Sequence, residues 1–142
     1  MVSAVELAER KAQARALVFL VFAAASVLVL LISFGPGRPD FLRGLWLGIT
    51  TGAAINLLPL GRLLKPRSAV ARLLDDESTR EHRHLSCVAG FWAAMAAGVV
   101  MAMLTADGGA ITAFDTARVI ATAAIGAALT SFALLELRAA RG

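Results

Sequence analysis

Ala16-Leu-Val-Phe-Leu-Val-Phe-Ala-Ala-Ala-Ser-Val-Leu-Val-Leu-Leu-Ile-Ser-Phe34 is the stretch that decides the fold class. Nineteen residues pass without an ionisable side chain, and Gly35-Pro36-Gly37 stops the run. At about 1.5 Å of rise per residue, a helix of this length crosses a hydrocarbon layer of about 30 Å. A chain in lipid must satisfy its backbone polar groups internally, so such a run reads as a transmembrane helix.

Working outward, three more apolar runs follow at about 41–64, 85–104 and 116–137. They predict an all-α membrane protein: four transmembrane helices, packed as a bundle of two hairpins, in a single domain over 1–142. Short turns containing glycine lie at 35–37 and 107–109. Between the second and third runs, residues 62–84 form the one long polar segment, with a short amphipathic helix expected after Ser68. Pro59 is expected to kink the second helix, and Trp46 to sit at a headgroup interface. Upstream of the first run, Ser3 and Glu6 have capping-box spacing and good helix formers continue to Arg15. The first run lacks a small-residue cleavage site and reads as a retained helix. A composition of 58% hydrophobic residues, with mean hydropathy +0.75, agrees with the membrane reading.

The formal charge is +4. Because the basic residues flank apolar runs, they read as topology determinants and headgroup contacts, not as a nucleic-acid surface. Eleven of the fourteen Lys and Arg lie in the N-terminal segment, the 62–84 loop and the C-terminus, against Arg38, Arg43 and Arg118 elsewhere. The positive-inside rule then puts both termini and the long loop in the cytoplasm. Arginine in excess of lysine, beside abundant alanine, suggests a bacterial source and hence an inner membrane.

Two groups of residues stand out as candidate sites. In the second helix Gly44, Gly48, Gly52 and Asn56 recur every four residues, a spacing that lets backbones approach closely. The stripe reads either as packing within the bundle or as the seam of a homodimer. In the third helix Cys87, Gly90, Ala94, Ala97 and Met101 form a second stripe. Just before it, Asp76, Glu77, Arg80, Arg83 and His84 predict a cluster of charges at the cytoplasmic rim. There an acid such as Asp76 or Glu77 would meet a base from another helix, in a neighbourhood holding Arg15, Arg62, Lys65, Glu136 and Arg138. The other reading is a solvated run of charge, whose exposed pairs each contribute about 0–1 kcal/mol.

Other functions have less to stand on. A metal site needs three or four converging ligands, and His82, His84 and Cys87 are the chain's whole supply of His and Cys, so no metal or other cofactor is expected. One cysteine excludes an intramolecular disulfide. The apolar cores of the four runs read as free of ionisable groups, with Glu136 a rim residue, which argues against proton-coupled export. No nucleophile, base and orienting group assemble, so an enzyme is not expected.

The stretch Leu74-Asp-Asp-Glu-Ser-Thr-Arg80-Glu-His-Arg83, running on to Trp92, resembles small uncharacterised bacterial four-helix membrane proteins with a D-E-x-x-R-x-x-R motif before the third helix. Asp76, Glu77, Arg80 and Arg83 fill the motif. The resemblance covers about twenty residues; it implies the four-helix architecture and an inner-membrane location, and brings no activity. The function expected is therefore that of a non-enzymatic bundle that sits in the lipid bilayer. It would self-associate or dock a cytoplasmic or membrane protein through its loop. The alternative is a small oligomeric transporter or channel lined by Thr50, Thr51, Asn56, Thr122, Thr130 and Ser131.

Overall fold

The computed structural model describes residues 4–34, 39–57, 77–106, 108 and 111–140. Among them every regular element is helical: α1 (Ala4–Ser33), α2 (Asp40–Leu57), α3 (Glu77–Thr105) and α4 (Ala113–Ala139). Three of these, α1, α3 and α4, are long and apolar enough to cross a membrane, as expected of a membrane protein. The described part of α2 is 18 residues, about 27 Å long. Residues 58–64 of the expected second helix, the helix after Ser68 and the capping residue Ser3 lie outside the described residues.

Helix boundaries differ from the apolar runs in an informative way. α1 continues unbroken through the polar residues before Ala16, and α3 begins eight residues before the run at Leu85. Hydropathy marks where a helix is apolar, whereas the helix itself persists through good helix formers until a breaker intervenes. α4 begins at Ala113 because Thr112 caps it: Thr112, extended at φ −75° and ψ 156°, accepts a hydrogen bond from the Asp115 amide at 3.1 Å. Gly108, at φ +73°, supplies the left-handed turn before that cap. Within the helices Ser26 donates to the Phe22 carbonyl and Thr105 to the Met101 carbonyl, both at 2.8 Å, so these hydroxyls are satisfied within their own helices.

α4 is the hub, touching α1, α2 and α3. Its contact face repeats as Asp115, Arg118, Thr122, Ile125, Leu129, Phe132 and Glu136, alternating three and four residues apart. All of these are buried except the half-buried Ile125. Such a repeat keeps one seam of a helix against its neighbour along its whole length. Phe19 and Ala23 of α1, Ala53 of α2 and Leu129, Phe132 and Ala133 of α4 form the middle of the core. The Phe19 and Phe132 ring centroids are 5.2 Å apart.

α3 joins α4 differently. A Cβ added at Gly90 would lie 2.7 Å from the Ala124 carbonyl oxygen, so only glycine permits this approach of the two backbones. Only 11% of the apolar stretch of α3 is buried in the chain, against 39% for α1 and 33% for α4. α3 is thus the most peripheral of the three long helices.

Candidate functional site

Among the described residues two polar clusters interrupt this apolar structure, one near each end of α4. Arg118 and Glu136 are eighteen residues apart, or five helical turns and about 27 Å, and so lie on one face.

Arg118 is completely buried. Its Nη1 donates to Asp115 Oδ1 at 3.2 Å and to the Ser33 carbonyl at 3.2 Å, while Nη2 donates to Ser33 Oγ. Ser33 in turn donates its hydroxyl to the Val29 carbonyl. The guanidinium carbon lies 5.1 Å from the Trp46 ring centroid and 5.5 Å from that of Phe114. Carboxylate, carbonyl, hydroxyl and aromatic faces thereby stand in for part of the water that the cation has lost, while its Nε has no hydrogen-bond partner among the described residues. Trp46 is buried as well, donating from Nε1 to Thr122 Oγ1 at 2.9 Å. Trp46 is packed inside the chain as part of this cluster, where both its ring face and its N–H are occupied.

Arg118 and Asp115 thus form a buried ion pair in the first two turns of α4, at the edge of the run expected at 116–137. Arg118 is the third residue of that run, and in the sequence it reads as a cation flanking the apolar part. The usable signal is Thr112 followed three residues later by Asp115, a cap pattern that starts the helix earlier and carries Arg118 inside it.

At the other end Glu136 is only 8% exposed. Arg15 of α1 donates from Nη2 to Glu136 Oε2 at 2.9 Å, and His82 Nδ1 of α3 lies 3.3 Å from Glu136 Oε1. One carboxylate therefore ties three helices. Arg15 also lies over the Phe132 ring, 5.0 Å from its centroid. Glu136 is thus not a rim residue extended towards water: its chain neighbours on α1 and α3 enclose it.

A cluster joining helices does occur at this end, built from Arg15, His82 and Glu136. Of the motif residues expected to form one, Arg80 and His84 are not among its described members. Arg80 and His84 are exposed, Arg83 is half-buried and partnered, and Asp76 and the Glu77 side chain lie outside the described residues. His82 faces inward while His84 and Cys87 face out, and among the described residues no three His, Cys, Asp or Glu side chains converge.

In the α2 stripe, Gly52 comes near α1, with an added Cβ 3.9 Å from the Phe22 ring. Gly44 and Gly48 are exposed, and nothing lies within 4 Å of a Cβ added at either. Asn56 is exposed and donates to the Gly52 carbonyl of its own helix at 2.7 Å. Trp46, Thr50 and Ala53 form the buried side of α2, opposite Gly44 and Gly48. Phe91 and Trp92 are exposed on α3 and meet edge to face, their centroids 5.5 Å apart.

No family model matches the chain, and no curated protein or solved structure matches it either. The site therefore has to be interpreted from its own chemistry.

Proposed function

We propose that the chain is a non-enzymatic bacterial inner-membrane protein that acts by association, with a second copy or with a partner protein. In this reading its four helices cross the membrane as two antiparallel hairpins, with both termini and the 62–84 loop in the cytoplasm. The eleven-to-three division of basic residues supports that orientation. The observation that carries the association is the open face of α2. Small residues let helices approach in lipid, yet Gly44 and Gly48 approach no described residue of their own chain. The cytoplasmic loop and the exposed Arg80 and His84 offer a second docking region for a protein partner.

The transporter reading has less support. Thr122 and Asn56, two of the residues that would line a polar path, already hydrogen-bond within the chain.

Disulfide trapping in native membranes tests the proposal. With Cys87→Ala removing the natural thiol, Gly48→Cys is expected to give a cross-linked dimer on mild oxidation, and Phe91→Cys on α3 much less. Equal or absent cross-linking at both positions, with no protein retained by the tagged chain, would overturn it.

A further inference from the structure

We propose that Glu136 is the catch of a latch that holds the first turns of α3 against α1 and α4, and that these turns move when the catch is broken. The inference requires no particular orientation in the membrane and no partner. It begins with how few of the described side chains at the end of α3 are buried. From Thr79 to Gly90 the buried side chains are those of Thr79 and Ser86, which are small, and Gly90 has none. Such a surface offers little area for packing, and in lipid packing is the main source of adhesion between helices.

The tight contact of α3 with α4 occurs at Gly90, where an added Cβ would strike the Ala124 carbonyl. Eight residues separate it from His82, a lever of about 12 Å. His82 reaches Glu136 at the far end of that lever, and Glu136 is held on its other side by Arg15 of α1. The moving segment would carry Arg80, Arg83 and His84, so Glu136 couples the charged motif to the bundle interior. The side chains of Arg15 and His82 are 26% and 16% exposed, so solvent or another charged group has access to the catch. The cluster at Arg118 has no such access.

Distance measurement between spin labels at Gln13→Cys in α1 and Arg80→Cys in α3 tests this in the full chain, with Cys87→Ala, in lipid nanodiscs. Both labelled positions are exposed. The parent should give one narrow distribution. His82→Ala leaves the Arg15–Glu136 pair intact and should broaden and lengthen that distribution. It should also raise hydrogen exchange of amides 81–88 about tenfold, as expected for a lost hydrogen bond to a charged group. His82→Gln, which can still donate to Glu136, should restore the parent behaviour, and Trp46→Phe at the other end should leave the distribution unchanged. Should His82→Ala fail to assemble, His82→Leu against His82→Gln decides the same point. A distribution and exchange rate in His82→Ala or His82→Leu equal to the parent would overturn the latch. So would equal disturbance by His82→Gln, since shape and not the hydrogen bond would then be responsible.

Discussion

The two ends of α4 solve the same problem in different ways. At the Arg118 end the acid and base are neighbours on one helix, three residues apart, and the pair is sealed by Ser33, Trp46 and Phe114. At the Glu136 end the partners come from three helices, and two of them remain partly open. A pair within one helix can form with that helix and then be buried as a unit. A pair between helices exists only when the helices meet, so it reports on and controls their assembly. The comparison separates a fixed polar core from a joint.

Substitutions should expose that difference, beginning with the largest effect. Arg118→Ala leaves the buried Asp115 without its partner and is expected to destabilise the chain by about 3–5 kcal/mol, read by unfolding titration in bicelles. A loss under about 1 kcal/mol would mean that water reaches this end too. Glu136→Gln should cost less, about 1–3 kcal/mol, because Arg15 can turn to solvent. Equal losses at both ends would erase the distinction between core and joint. Gly90→Val should cost about 1–3 kcal/mol and loosen α3 from α4 with α1 unaffected, because the added atoms meet the Ala124 backbone. Exchange of α1 and α3 amides, followed separately, checks that restriction. Trp46→Phe keeps the ring over Arg118 but removes the N–H to Thr122, and should cost about 1 kcal/mol. Gly48→Ala should stabilise the single chain slightly, by about 0.4–1 kcal/mol, since nothing lies near the added methyl and alanine loses less backbone freedom in a helix.

The helical architecture was legible because apolar runs of span length leave few alternatives. The ends of the helices were less so: hydropathy alone started the third helix at Leu85, whereas it already includes Glu77 to His84. Burial of charge was the hardest feature to read. Arg118 looks like a cation flanking the fourth apolar run until Thr112 is recognised as a cap that sets it in the second turn, and Glu136 looks peripheral until Arg15 and His82 are brought to it from 121 and 54 residues away. No local pattern encodes those separations. The position of His82 off the His84–Cys87 face was readable from helical spacing, but not what it would meet.

The open face of α2 carries the proposed association, and energy transfer between differently labelled copies in liposomes tests it most directly. Transfer should rise with protein-to-lipid ratio in the parent, and should fall severalfold in Gly48→Leu while the single chain keeps its stability. Transfer that is absent at every ratio, or that is unchanged by Gly48→Leu, would contradict an interface on that face.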